Sequence, residues 1–544
     1  MLGAMSFLLI KNARDDSATT DEPIHILSGY EYWHKVFSVN PEHPPLGKQI
    51  ATIPLNFIKP ILPNDENFKN AIKDIYYDSW AETRSYAQKW LYDTSGNDPD
   101  RIVTSARLMV VLFTVIFGFI LFFTAKKWYG KTASIIAVFL FAFSPLILTH
   151  GHLANTDMWM TIGFFIAIFG FAWYLDKPDY TRMIISAVLF SIALLLKFSA
   201  VLLIPILMLI YLAKYYTSRG SKDYSFKRFS ILFLVFVLVS LFMIWADYGF
   251  PTNTLPSFDS NKNYVYNSKP LEVITPILKY IPMPEYFKGL VMVFATNMST
   301  RQAYILGHSF NGGVWYYFPL AFLFKEPLAF IILIMSGIVY WILHRKKLEF
   351  RDWVLMIPVL FYILVTLFSK LNIGIRHLMP IYPFLFIYAG YFVSNLYQKV
   401  KDNKKKLIAY SCLLIAMLLW YLFANLSVCP YYFTYFNELT GGPLNGGKYL
   451  ADSNIDWGQD MKRLSLFLKE KNISSPIKME YFWSGYLQPT YYEINYVRLA
   501  PNNPNQKGLI AIGVSALQTK EFSWLKNYKP YKIIGNALYV YNIE

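Results

Sequence analysis

Two adjacent carboxylates, Asp21 and Glu22, open a polar segment that runs on to His43-Pro44-Pro45-Leu46-Gly47-Lys48. A hydroxyl or amine that attacks as a nucleophile needs a carboxylate to take its proton. Burial at a membrane edge raises such a carboxylate into a useful pKa range. The competing reading is a solvated acidic loop, because Asp15 and Asp16 lie just upstream. Asp157 is a sharper signal. It sits at the end of an apolar run, where an ionisable group is costly and usually functional, although Asp is also a favoured helix N-cap. His150, His152 and Asp157 are ligand types that suit a metal, but without the convergent spacing of a structural site. Lys197 interrupts another apolar run, and Arg376 and His377 fall at the same level of theirs. Such cations either snorkel to the interface or bind a lipid phosphate at headgroup depth, for which Arg is suited by bidentate geometry. Several cations and carboxylates at one level are more than snorkelling explains. The segment Asp452 to Asp460, with Asn454, Asp456 and Trp457, reads as an Asx-turn and helix cap rather than as catalytic.

The elements that must position these residues are mostly membrane helices. Of the 544 residues, 55% are hydrophobic, 18% aromatic and 16% charged, and the mean hydropathy is +0.31. That composition excludes an ordinary soluble protein. The net charge of +16 is explained by Lys and Arg in cytoplasmic loops rather than by nucleic acid. The two cysteines, Cys412 and Cys429, form no disulfide framework and read as small hydrophobes. Met1 to Ile10 is apolar but half the roughly 20 residues a span needs. It also lacks the basic start and cleavage site of a signal peptide. A start upstream of Met1 is the expectation.

Residues 11–104 form a first large external loop, and 247–326 a second with an amphipathic patch at Tyr286 to Phe294. Spans are expected at Arg107–Lys126, Thr132–Leu148, Met158–Leu175, Met183–Leu196, Ala200–Ala213, Phe229–Ala246, Pro327–Leu343, Trp353–Phe368, Leu378–Leu396 and Leu407–Leu426. Lys126, Lys127, Lys131, Arg219, Arg228, Arg345, Lys346 and Lys404 to Lys406 all then fall on one side, the cytoplasmic one. The reading is an α-helical polytopic membrane domain over 1–428, with about eleven spans counting the shortened first. An external α/β domain follows over 429–544, with a helix at Met461–Lys469 and strands at Ile477–Phe482, Gly508–Val514 and Ala537–Ile543.

Taken together, the Asp21-Glu22 pair, Glu42-His43-Pro44-Pro45-Leu46, His152-Leu153-Ala154-Asn155-Thr156-Asp157 and Arg376-His377-Leu378-Met379-Pro380 resemble the integral-membrane glycosyltransferases of the protein O-mannosyltransferase and aminoarabinose-transferase type. These are GT-C enzymes related to glycosyltransferase family 39. Trp315-Tyr316-Tyr317-Phe318-Pro319, Lys325-Glu326-Pro327 and the segment Ala451 to Asp460 are similar to the prokaryotic branch. The resemblance spans nearly the whole chain. It implies inverting transfer of a sugar from a polyprenyl-phosphate donor to an acceptor on the non-cytoplasmic face of a prokaryotic cell membrane, mannosyl transfer being the model. Protein, lipid and polysaccharide acceptors stay open. By the resemblance Asp21 is the general base, Glu22 and Asp157 orient the acceptor or stabilise charge, and Lys197 and Arg376 hold the leaving lipid phosphate. His43, Lys48, His152 and His377 shape the site, and a divalent metal is left open, because some relatives hold one near these carboxylates. The alternative is a transporter or flippase of lipid-linked sugar, which would place its ionisable groups near the midplane. A receptor or scaffold would leave the loop acids unexplained.

Overall fold

The computed structural model describes residues 1–63, 66, 80–218, 222–254, 280, 282–298, 301–344, 347–481 and 487–544. Arg219, Arg345, Lys346 and Phe482, and the stretch 255–279 of the second loop, lie outside the described residues. Every expected span contains a helix. Six of the described helices are long and apolar enough to cross a membrane, and seven if one bent pair is counted. The rest of the expected spans are shorter, interrupted or, for Tyr382–Val400, less apolar. Lys131–Ala142 and Tyr180–Leu196 are short apolar helices, and Pro145–His150 is a separate single piece after the first of them. Ser144 there caps the new helix, its Oγ accepting from the Ile147 N–H, with Pro145 in the first turn.

Local sequence explains the main boundaries. The long helix Pro99–Tyr129 starts with Asp98 accepting from the Arg101 N–H and with Pro99 at its first position, and it stops at Gly130 with φ 90°. It therefore begins within the expected first loop. The helix Asp157–Asp176 is apolar all round and is the centre of the bundle. Of its membrane window 89% is buried, against 11% for Lys404–Leu426 at the edge. The helix Leu2–Asp15 packs beside Pro99–Tyr129, placing Met5 and Leu9 in the main core.

The second loop ends earlier than expected. Tyr317–Lys325 is already helical and meets Leu328–Leu343 at 117°, because Pro327 denies the second helix a continuous start. The break is held from inside. Lys325 Nζ donates to the carbonyls of Phe433 (2.8 Å) and Asn454 (2.5 Å), and Tyr382 Oη donates to Glu326 Oε1 at 2.6 Å. The amphipathic patch is the helix Pro284–Met298. The described part of the first loop carries helices too, at Glu22–Trp33, Leu46–Ala51, Leu55–Ile58 and Trp80–Tyr92.

A hairpin of β1 (Gln302–Ile305) and β2 (His308–Asn311) projects from the second loop. The C-terminal part holds β3 (Ile477–Glu480), β4 (Tyr496–Arg498), β5 (Gly508–Gly513), β6 (Lys532–Ile534) and β7 (Leu538–Ile543), in the order β4-β3-β5-β7-β6. β3 runs parallel to β4 and β5, and β7 antiparallel to β5 and β6. Alternation along β5 gives the sheet two buried faces. Ala511 joins the core under helix Met461–Glu470, and Ile510 and Ile512 join the opposite one. Cys412 is exposed on the outermost long helix and Cys429 is half-buried, both as free thiols.

Candidate functional site

At one end of the bundle the helix termini and loops surround a cavity of about 930 Å³, lined by Asp21, His25, Glu42, His43, Asp157, Lys197, Arg376, His377, Asp452 and Trp457 among others. Asp157, the first residue of the central helix, is buried there. Lys197 Nζ donates to its Oδ1 at 2.6 Å, and Arg376 Nη1 donates to its Oδ2 at 3.0 Å. One carboxylate thus holds two cations side by side, leaving the trio with one net positive charge facing the cavity. Asn155 Oδ1 accepts from the Asp157 N–H at 3.1 Å, so the turn before the helix is tied to the same point.

Lys197 is where it is because the helix Tyr180–Leu196 ends at it in an extended conformation. Arg376 rides on the short 3-10 helix Ile375–Ile381. Its Nε donates to Ser453 Oγ at 3.2 Å, and its guanidinium lies over the Trp457 ring, 4.1 Å from the centroid. Gly374 permits this, since a Cβ there would stand 2.5 Å from Ser453 Oγ. The segment 452–457 is therefore a wall of the site rather than only a turn and cap. Trp457, Ser453 and Asp452 are the residues that sequence reasoning missed, an aromatic flanked by acids in a polar segment being the one available signal.

Asp21 precedes the helix Glu22–Trp33 and is a quarter exposed to the cavity. Arg84 approaches its Oδ1 at 3.5 Å and Arg376 its Oδ2 at 3.9 Å. Glu22 points elsewhere. It is fully buried, accepting from Arg107 Nη2 (2.6 Å) and Nε (2.8 Å), from the Thr19 N–H (2.7 Å) and from the Ala154 N–H (2.9 Å). Burial alone would raise its pKa, but Arg107 and these donors hold it below the ordinary glutamate value. The structure thus separates the two adjacent acids into a cavity group and a buried tie.

The other expected residues divide in the same way. His43 lines the cavity beside His25, with ring centroids 5.3 Å apart, and His377 faces the same space. Burial pushes His25 and His377 down to about 3 and His43 well below its usual value, so all three are neutral at physiological pH. Lys48 lies behind the wall. Its ammonium donates to Tyr32 Oη, to the Asn40 carbonyl and to Asn40 Oδ1 at 2.8 to 2.9 Å. It fastens the loop that carries His43. His152 is away from the cavity, its Nε2 3.2 Å from Asp16 Oδ2. Asp16 in turn pairs with Arg463.

The residues do not fit a metal. Among those described, no three His, Cys, Asp or Glu side chains converge as ligands. His152 is taken by Asp16, Asp157 by two cations, and His150 packs against Phe433 and Trp457. What the arrangement offers instead is a carboxylate, Asp21, across from paired cations. One flank of the cavity is apolar, with Val201, Leu202, Val293, Phe294 and Phe368.

Residues 101–245 match the family model described as dolichyl-phosphate-mannose-protein mannosyltransferase. That stretch contains Arg107, Asp157 and Lys197. The archaeal oligosaccharyltransferase AglB from Archaeoglobus fulgidus, solved with an inhibitory peptide and a dolichol-phosphate, superposes with a TM-score of 0.51 at 10% identity, covering 100% of this chain and 74% of that one. The chain has the GT-C membrane-glycosyltransferase fold. A second structure of the A. fulgidus enzyme, tethered to an acceptor peptide, agrees with a TM-score of 0.50 at 10% identity over 97% and 72% of the two chains. ArnT from Cupriavidus metallidurans bound to undecaprenyl phosphate gives a TM-score of 0.47 at 13% identity, over 99% of this chain and 96% of that one. No curated protein sequence matches. The matching segment spans the central helices of the bundle, and the likeness to the solved structures is one of fold.

Proposed function

We propose that this protein transfers a sugar from a polyprenyl-phosphate donor to a hydroxyl or amine acceptor on the non-cytoplasmic face of the membrane, with inversion at the anomeric carbon. Asp21 takes the proton from the acceptor as its oxygen or nitrogen attacks that carbon. The bond from the anomeric carbon to the phosphate oxygen breaks, and the lipid phosphate leaves with the electron pair. Lys197 and Arg376 stabilise the charge that develops on it, and Asp157 keeps the two cations in register. Neutral His43, His25 and His377 offer hydrogen bonds without adding charge. The apolar flank at Val293, Phe294 and Phe368 suits the first units of the lipid. Mannose as the sugar is the reading drawn from the matching segment.

The observation that carries this reading is the meeting of Asp21, Asp157, Lys197 and Arg376, far apart in sequence, in one cavity at a bundle end. A transporter would bring such groups together at mid-membrane. The test is purified protein in detergent with radiolabelled polyprenyl-phosphate sugars and a membrane extract. Release of lipid phosphate and labelled product by the parent, lost in Asp21→Asn while donor binding persists, is the expected result. Donor binding without turnover in the parent would overturn it in favour of transport.

A further inference from the structure

A second cavity, of about 710 Å³, opens beside the first, between the β1–β2 hairpin and the C-terminal sheet. The two cavities share Gln302 and Asp452 in their walls, so a chain lying in the second reaches the first past these side chains. We propose that this cleft is the acceptor site and that it takes a neutral glycan chain, whose terminal hydroxyl passes Gln302 and Asp452 to meet Asp21. The inference rests on the transferase reading above.

The chemistry of the walls selects that acceptor. Tyr304 comes from the hairpin, Tyr481 and Tyr496 from the β3–β4 side of the sheet and Phe522 from beyond β5, so aromatic faces are supplied by opposing elements. The C–H faces of sugar rings pack on such surfaces. Between them stand amides and hydroxyls that can both donate and accept, Gln518 among them, which accepts from Tyr304 Oη at 3.1 Å. The charged lining is acidic. Among the described lining residues Asp452, Glu480 and Glu521 are acidic and Arg498 is the one cation, its Nε donating to Glu480 at 3.1 Å. That surplus repels a phosphorylated lipid or an acidic polysaccharide. A peptide adding to the sheet would need a long open edge, and β4 on this side has three residues.

Asp452 is built for the junction. Its backbone has φ 59°, a left-handed conformation that Asp tolerates better than most side chains. It is held by its own N–H donating to Ser515 Oγ at 3.0 Å and by the Ser453 N–H donating to Asp452 Oδ1 at 2.5 Å. Burial pushes its carboxyl up to about 6, and its oxygens can accept hydrogen bonds from an arriving hydroxyl.

The experiment uses the full-length protein, radiolabelled polyprenyl-phosphate sugar, and two separated fractions of the source cells, neutral polysaccharide and membrane protein. Label is expected in the polysaccharide, resistant to protease. Tyr304→Ala and Tyr496→Ala should each raise the KM for that fraction about tenfold, the loss of roughly 1.4 kcal/mol of binding. Acceptor-independent release of lipid phosphate and the donor KM should stay at parent levels, which also reports that both variants are folded. Label in the protein fraction, or an unchanged acceptor KM in both variants, would overturn the glycan cleft while leaving the transferase intact. A parent that releases no lipid phosphate with any fraction would instead remove the transferase reading, and this one with it.

Discussion

Asp21 and Glu22 are neighbours in sequence and opposites in structure. Both face an arginine, but Glu22 is sealed with Arg107 at 2.6 Å and neither side chain has any exposure, whereas Asp21 is a quarter exposed and its two arginines stand off at 3.5 and 3.9 Å. Successive residues at a helix start point about 100° apart, so one is turned into the bundle and the other into the cavity. The saturated group ties the bundle together, and the under-coordinated one faces the cavity. Asp157, which holds two cations at the cavity edge, and Asp16, which ties His152 to Arg463 out of reach of it, are both saturated in the manner of Glu22.

Substitutions that cut the two kinds of pair should therefore fail differently. Asp21→Asn should lower turnover by roughly 10²- to 10⁴-fold, the range for a general base, with no change in Tm. Equal loss of Tm and turnover would erase the distinction between the two acids. Glu22→Gln should do the reverse, costing about 3–5 kcal/mol of stability by leaving Arg107 buried and unpaired. The double variant Glu22→Gln with Arg107→Met should recover part of it, as read by thermal unfolding in detergent. Lys197→Gln should raise the donor KM by roughly 10- to 100-fold, the worth of one hydrogen bond to a charged group, and leave acceptor KM alone.

The smallest effect concerns pH. Burial pushes Asp456 up to about 8 and Asp460 and Asp452 up to about 6. Each binds a proton in the folded protein that the unfolded chain, titrating near 4, has already released. Stability should therefore fall as pH rises from about 4 to about 8. Asp456→Asn should flatten that slope and raise Tm at pH 8.5 by an amount equivalent to about 1 kcal/mol or more, with little change at pH 4. Asp16, held near 2 against its own burial by Arg463 and His152, acts in the opposite sense and only below pH 4.

Much of the cavity was legible in sequence because membrane helices make ionisable residues conspicuous. Asp157, Lys197 and Arg376 each interrupt an apolar run, and their common level followed from counting spans. The strands β3 and β5 showed as short segments of strand character, β7 through alternation, and the helix Met461–Glu470 through its apolar stripe. What escaped depends on contacts distant in sequence. Nothing local in Trp457 says that it underlies Arg376, and nothing in Arg84, on a polar helix, says that it reaches Asp21. β4 and β6 have three residues each, too few for a period of two to register. The break at Glu326-Pro327 was read as the end of a loop because a bent pair of short apolar helices and a loop followed by one helix leave the same hydropathy trace.

The contact of Trp457 with Arg376 also sets an order of manufacture. The helices that carry Asp21, Asp157, Lys197 and Arg376 are all synthesised before residue 382, yet the wall that completes their cavity arrives at 452–457, and the sheet behind it ends at residue 543. The cavity that gathers these four side chains therefore stays open on one side until the segment 452–457 has followed them out of the ribosome.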